Sequence, residues 1–267
     1  MNRAPAVAGK FYPGRAKELA ETIESHLDRS QSPKPAFGAL VPHAGYVYSG
    51  DVAGAVFSRI EIPPTVLILN PNHTGQGEPL AVWPDGKWAT PLGQVPVDEE
   101  LTRQLLRADK TLAPDRVAHL AEHSGEVMLP FLQVLRPDVR VVVMTVGVLR
   151  LVSLQDLGRQ IASVLKSISP RPLILASSDM THFESADAAK RRDSLAIEPM
   201  LKLDEAQLFR VVTGQRISMC GIAPATAMLA AVKELGATRG ELVKYDNSAT
   251  AGADPSNVVG YAGMIFT

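Results

Sequence analysis

The sequence has one cysteine, no long hydrophobic segment and almost no net charge. A lone cysteine in 267 residues excludes an internal disulfide bond and is typical of a protein in a reducing cytosol. No apolar run approaches the ~18 residues of a membrane span, and the N-terminal stretch MNRAPAVAGKFYPG lacks a signal peptide's apolar segment. With 27 basic and 28 acidic residues, the chain has no charge excess to favour nucleic acid or an anionic membrane as a partner. We therefore expect a cytoplasmic protein.

Five short apolar runs, rich in branched residues, predict strands that are buried on both faces of a sheet. They lie at residues 37–41, 65–69, 139–146, 172–176 and 258–266. Helical periodicity marks residues 16–27, 49–60, 98–108, 153–168, 187–201, 204–212 and 223–235. Alternating strands and helices predict an α/β fold, a three-layer sandwich with a central mostly parallel or mixed sheet flanked by helices. We interpret residues 1–267 as one domain, because no repeat or long linker divides them.

Polar side chains follow three of the predicted strands. His43 comes after the first run, His73 follows the second in NPNHTG, and Asp179 and His182 follow the fourth in SSDMTH. Ligands of open α/β sheets gather outside the carboxyl ends of the strands. Each histidine taken singly fits an ordinary loop or core residue, but together they predict a shared site.

Cys220 has two interpretations. It precedes Gly221 and a predicted helix, whose terminal amides would lower the thiol pKa and favour the thiolate. The alternative is an inert buried cysteine, a common state of this residue type. Two neutral imidazoles and a thiolate would suit iron, copper or zinc rather than magnesium or calcium.

A competing motif occurs at His119, Glu122 and His123, which spell H-x-x-E-H, the inverted zinc-peptidase signature. On a helix, the two histidines would face the same way with Glu122 as a base, and Glu198 is a candidate third ligand. The pattern is short enough to arise by chance. The alternative is a helix-start cluster in which Glu126 reaches back to the cap.

The ordered motifs RAPAVAGKFYPG, VPHAGYVYSGDVAG, LNPNHTG, EHSGEVMLPF, SSDMTHF and CGIAPATAML resemble those of the Memo family, named after a mediator of cell motility. In prokaryotes this family is also called AmmeMemoRadiSam system protein B. The resemblance runs from Arg3 to the C-terminal VVGYAGMIF. It implies a fold similar to that of the class III extradiol dioxygenases, which open catechol rings with non-haem Fe(II).

The resemblance also implies roles for individual residues. His43 and His73 correspond to two metal ligands, and Cys220 takes the place of the dioxygenases' glutamate ligand. His182 corresponds to the acid/base histidine, with Asp179 beside it to orient it. Further residues expected to line the pocket are Tyr46, Asn72, His123 and Glu126. EHSGE matches a Memo pattern, which makes the zinc-peptidase motif accidental.

The function implied is a mononuclear non-haem metal redox protein, a dioxygenase-like oxidoreductase, with Fe(II) as the first candidate metal and copper or zinc as alternatives. A thiolate in place of a carboxylate argues against ordinary catechol cleavage, because the thiolate is itself oxidisable. The alternative is a non-catalytic module that binds a peptide or a partner protein in the ancestral pocket. The prokaryotic family name implies a radical S-adenosylmethionine protein and a third protein as partners.

Overall fold

A computed structural model describes residues 2–267 of the chain. Its strands are β1 (Asn2–Arg3), β2 (Gly38–Val41), β3 (Thr65–Asn70), β4 (Leu80–Val82), β5 (Lys87–Thr90), β6 (Gly93–Pro96), β7 (Ala113–Pro114), β8 (Arg140–Val146), β9 (Leu173–Ser177), β10 (His182–Glu184), β11 (Gly240–Asn247) and β12 (Val258–Phe266). Its helices are α1 (Ala16–His26), α2 (Tyr46–Phe57), α3 (Glu99–Ala108), α4 (Val117–Leu120), α5 (Leu129–Leu135), α6 (Leu151–Leu165), α7 (Ala186–Leu201), α8 (Glu205–Gly214) and α9 (Ile222–Leu235). Short 3-10 turns occur at Glu126–Met128 and Ser248–Ala251.

Residues 2–267 form a larger and a smaller sheet, and the larger one is mixed. Its strand order is β10-β12-β2-β9-β3-β8-β4-β7, and β11 pairs with β12. Strands β2, β9, β3 and β8 run parallel to one another, whereas β12 and β4 join them antiparallel on either side. The smaller sheet has the order β1-β5-β6. This arrangement confirms the predicted α/β fold with a large mixed sheet flanked by helices.

The central strands bury side chains on both faces of the sheet. In β3, Leu67 and Leu69 pack into one apolar cluster, while Val66 and Ile68 pack into another. Successive side chains of a strand point to opposite faces, so the two clusters lie on opposite sides of the sheet. The first cluster includes residues of α3, α6, α7, α8 and α9, and the second includes residues of α1, α2 and α5. Among residues 2–267, no helix has the length and apolar character needed to cross a bilayer.

All five predicted strand runs fall on strands of the larger sheet, and the seven predicted helices overlap α1, α2, α3, α6, α7, α8 and α9. Helix α2 begins at Tyr46 and ends at Phe57, three residues earlier at each end than predicted. The short strands β4 to β7 and the strand β11 lie outside the predicted runs. Most residues of β11 are only partly buried, so this strand carries no continuous apolar signal.

The parallel strands also fix where the polar loops lie. Strands β2, β9 and β3 end at Val41, Ser177 and Asn70 and are hydrogen-bonded side by side. Their carboxyl ends therefore meet at one edge of the sheet, where ligand sites of α/β folds form.

The close packing of α6 against α9 gives a test of this fold. A methyl group at Gly158 of α6 would lie 2.6 Å from both the Ala227 carbonyl oxygen and Ala230 Cβ of α9. We expect Gly158→Ala to lower the free energy of unfolding by about 1–3 kcal/mol, because overpacking forces the helices apart. Urea denaturation measures this change.

The matched control is Gly214→Ala in α8, where an added Cβ would meet nothing within 4 Å. Alanine is the better helix former, so this variant should be unchanged or more stable by up to about 1 kcal/mol. Equal losses in both variants would contradict the packing described for α6 and α9.

Candidate metal centre

His43 is held at the end of β2 by contacts to both its backbone and its ring. Its backbone N–H donates to Asp179 Oδ1 at 2.8 Å, and its Nδ1 lies 2.7 Å from Ser177 Oγ. The Ser177 hydroxyl already donates to the Ser124 carbonyl at 2.7 Å, so its oxygen accepts from the His43 Nδ1–H. The Nε2 of His43 therefore keeps its lone pair.

His73 is oriented by the carboxylate of Glu122. The His73 backbone N–H donates to Oε2 at 2.6 Å, and Nδ1 lies 2.9 Å from Oε1. Burial alone would raise the pKa of Glu122, but hydrogen bonds from His73 and Ser124 outweigh it and lower this pKa to about 2. Because an ionised carboxylate only accepts, His73 donates from Nδ1, and in the neutral ring Nε2 carries the lone pair.

His123 completes a cluster of three imidazoles. One ring nitrogen from each of His43, His73 and His123 lies within 4.8 Å of the others. The His73 and His123 rings stack with centroids 4.9 Å apart, and the His43 ring meets them edge-on at 5.1 and 5.4 Å. Burial lowers the pKa of His43 and of His123, so both rings are ready to donate a lone pair at neutral pH. For His73, burial lowers the pKa, but the hydrogen bond and charge of Glu122 outweigh it and raise this pKa.

Cys220 lies against His43, with its Sγ 3.3 Å from His43 Nε2 and 3.2 Å from the donating backbone N–H of Asp179. Burial, reinforced by the negative charge of Asp179, raises the pKa of this thiol. Of the two interpretations of Cys220, burial thus has a larger effect on its pKa than the backbone amides that lower it. The next residue, Gly221, makes the approach sterically feasible, since a Cβ there would lie 2.3 Å from the Ser177 carbonyl oxygen.

His182 stands at the start of β10 and is oriented by Ser218. Its backbone N–H donates to Ser218 Oγ at 2.8 Å, and its Nδ1 donates to the Ser218 carbonyl at 3.0 Å. Asp179 accepts instead from the backbone N–H groups of His43 and Ala44, at 2.8 and 3.3 Å. The predicted orienting contact from Asp179 to His182 is thus replaced by Ser218, and Asp179 fixes the backbone of His43.

These groups open into one cavity of about 530 Å³. Its lining comprises Lys10, Phe11, His43, Ala44, Gly45, Val47, Tyr48, His73, His123, Asp179, His182, Ser248, Ala253, Val259 and Tyr261. The residues predicted from three separate strand ends thus line the same cavity, with Cys220 behind His43.

Three of the four further residues predicted to line the pocket lie outside it. Tyr46 is buried and donates its hydroxyl to the Val127 carbonyl at 2.6 Å. Asn72 hydrogen-bonds within its own loop, and Glu126 is completely buried in an ion pair. Only His123 lines the cavity. The prediction that Tyr46, Asn72 and Glu126 line this cavity is therefore wrong.

The zinc-peptidase alternative is also wrong, because its residues do not come together. Helix α4 ends at Leu120, so His119 and His123 do not share one helical face. The His119 ring is buried edge-on to Trp83 and Trp88, with centroids about 6 Å away. Glu198, the candidate third ligand, is exposed and pairs with Lys202, the residue that follows α7.

Sequence reasoning missed the groups that orient the histidines. Glu122 and Ser124 appeared in the EHSGE motif, but their contacts to His73 and to Ser177 are long-range and leave no periodic signal. The sequence predicts His123 as a pocket-lining residue and gives it a ligand role only in the zinc-peptidase alternative. His123 does not follow a predicted strand, so the strand-end rule could not predict its position.

The fold and the cluster define an α/β sandwich protein with a candidate three-histidine metal site at the carboxyl edge of its sheet. The chain belongs to the Memo-like protein family, whose model matches residues 3–265, and this confirms the resemblance identified from the motifs. A MEMO1 family protein of Methanopyrus kandleri is 40% identical over 280 residues, covering 100% of this chain and 99% of the relative. Another from Aquifex aeolicus is 42% identical over 267 residues, covering 99% and 98%.

The fold is also similar to a crystal structure of an uncharacterized protein from Escherichia coli K12. The two superpose with a TM-score of 0.57, covering 85% of this chain and 98% of the other. Sequence identity is 11%, so the likeness concerns the fold alone.

The buried His119 predicts a pH-dependent difference in stability. Burial, followed by the charge of Arg3, lowers its pKa from 6.5 to about 3, so the unfolded chain binds a proton below pH 6.5 that the folded chain does not. The free energy of unfolding should fall as the pH drops from 6.5 towards 3, by up to about 1.4 kcal/mol per pH unit from this group. We expect the curve of His119→Gln to be flatter than the wild-type curve between pH 6.5 and 4. Urea titrations at several pH values measure both, and parallel curves would contradict the prediction.

Proposed function

We propose that this protein binds one transition-metal ion at the histidine cluster and uses it for redox chemistry on a substrate held in the adjoining cavity. The observation that carries the proposal is the convergence of His43, His73 and His123 nitrogens within 4.8 Å. Family membership supports it only through the resemblance to the class III extradiol dioxygenases. The cytoplasmic location and the single domain remain predictions.

The donor set fits a first-row transition metal. Imidazole nitrogen suits iron, copper and zinc, whereas magnesium and calcium favour oxygen ligands. Ser177 and Glu122 hold the Nδ1–H of His43 and of His73, which is the outer-sphere support that metal-binding histidines need. Nε2 is therefore the nitrogen that each neutral ring offers to an ion. Fe(II) is our first assignment, with copper and zinc as alternatives.

The third ligand has two candidates. His123 is favoured by distance, because its ring nitrogen belongs to the three-histidine group. Cys220 is favoured by the family pattern and by its position 3.3 Å from His43 Nε2. A bound ion would have to take up the thiolate in place of the thiol proton, so affinity through Cys220 would rise with pH.

The ion would supply coordination positions for oxygen and substrate. The protein residues supply orientation and proton transfer. His182 donates Nδ1–H to Ser218, which leaves Nε2 free to exchange a proton with a substrate in the cavity. Asp179 fixes the backbone that carries His43.

A second candidate function is binding without turnover. Val47 and Tyr48, which line the cavity, are 71% and 45% exposed, an apolar rim that would suit a peptide or partner protein. Association with a radical S-adenosylmethionine protein and a third protein, implied by the prokaryotic family name, belongs to this proposal.

Anaerobic Fe(II) titration of purified variants tests the metal site. We expect His43→Ala and His73→Ala to weaken binding by at least about 100-fold, because even outer-sphere partners contribute 10–100-fold. His26→Ala on α1 is the control for a histidine outside the cluster, and His119→Ala tests the zinc-peptidase motif. Of Cys220→Ala and His123→Ala, the variant that loses affinity identifies the third ligand. Wild-type affinity in His43→Ala would refute the site.

Oxygen consumption separates turnover from binding. Iron-loaded protein should consume oxygen with at least one member of a panel of phenols and reductants, measured with an oxygen electrode. His182→Asn should lower this rate by about 10²–10⁴-fold, the usual contribution of a general acid or base. Its metal affinity should stay at the wild-type value. Absence of oxygen consumption by the iron-loaded wild type would favour the binding candidate.

A further inference from the structure

The segment of residues 119–126 is connected to all three histidines of the cluster. Its Glu122 carboxylate binds the His73 ring at 2.9 Å, and its His123 is itself a member. Its Ser124 carbonyl accepts from Ser177 at 2.7 Å, and Ser177 in turn accepts from His43 Nδ1. The segment therefore supplies His123, contacts the His73 ring and supports the His43 ring through Ser177.

Arg3 is hydrogen-bonded to three residues of the 119–126 segment. Its Nε donates to the His119 carbonyl at 2.8 Å, one Nη to the Glu122 carbonyl at 2.6 Å, and the other Nη to Glu126 Oε2 at 2.5 Å. The guanidinium stacks on the Trp88 ring at 4.1 Å, and the side chain has no exposed surface. A planar, five-donor group is suited to fixing several acceptors at once.

Glu126 completes the connection to the N-terminal part of the chain. Besides Arg3, its carboxylate accepts from the backbone N–H groups of Ala6 and Val7 at 2.8 and 3.1 Å, and from the Tyr12 hydroxyl at 2.6 Å. Both partners of this ion pair are fully buried. A buried pair is often no more stabilising than apolar residues of similar volume, so stability alone does not account for it. A second role for such a pair is to fix the geometry of the segments that it joins.

We propose that Arg3 and Glu126 are positioning residues of the metal centre, which set the ligand geometry by fixing the 119–126 segment. This inference rests on the proposed function. Neither residue lines the cavity, so each acts through Glu122, His123 and Ser124 and not on the ion or the substrate.

Three variants perturb the connection to different extents. Arg3→Met removes all donors, Arg3→Lys keeps the charge with fewer aligned donors, and Tyr12→Phe deletes one hydroxyl at constant shape. Anaerobic Co(II) titration should show affinity reduced about 10–100-fold in Arg3→Met, less in Arg3→Lys and least in Tyr12→Phe. The Co(II) absorption bands should shift in the same order, since they report coordination geometry. The control is Arg171→Met, which removes an arginine that stacks on Phe37 at 4.0 Å, at the amino end of β9.

Amide hydrogen exchange of the metal-free proteins provides a readout that needs no metal. We expect faster exchange within residues 122–126 in the Arg3 variants and unchanged exchange there in Arg171→Met. If the folded Arg3 variants keep wild-type Co(II) affinity and spectrum, the positioning role is refuted. If the wild type binds no Co(II), the proposed function fails, and exchange then decides: faster exchange supports the fixing of the segment, and unchanged exchange refutes it. Should Arg3→Met not fold, Arg3→Lys and Tyr12→Phe decide by the same criteria.

Discussion

Strands β2, β9 and β3 are paired in parallel, so the three loops that leave them start side by side at one edge of the sheet. The carboxyl end of β2 leads to His43, that of β3 to His73, and that of β9 to Asp179. Antiparallel pairing would send one of these loops to the opposite edge. Each face of these strands packs against its own set of helices, so a change in strand pairing would disrupt both apolar clusters. The chemistry of the site thus depends on the burial of aliphatic side chains far from it.

The main strands could be predicted because they bury both faces and therefore leave continuous apolar runs in the sequence. Seven helices could be placed by period, since each buries apolar side chains against the sheet or against other helices. Edge elements such as β11 could not be predicted, because a partly exposed strand can contain both polar and apolar residues. The strand-end rule gave the neighbourhood of His43, His73 and His182. It did not give His123, which lies in a loop after a four-residue helix.

Interactions between distant parts of the chain account for the remaining differences. The helix-terminal position of Cys220 suggested a low thiol pKa, but burial and the nearby Asp179 carboxylate have the larger effect. The sequence predicts that Asp179 orients its neighbour His182, whereas its carboxylate accepts a hydrogen bond from the backbone N–H of His43. In both cases adjacency in sequence was a poor guide, because hydrogen-bond partners are chosen by the fold.

The glycine after Cys220 has a wider effect than allowing one close approach. At this residue the start of α9 lies against the end of β9, with the Gly221 N–H donating to Ser178 Oγ at 3.0 Å. Ser177, one residue before, supports the His43 ring, while Cys220, on the other side of the contact, supplies the sulfur. Any side chain at residue 221 would clash with the end of β9 and push Cys220 away from Ser177. A shift of α9 relative to β9 would therefore change the distance between the Cys220 sulfur and the His43 imidazole.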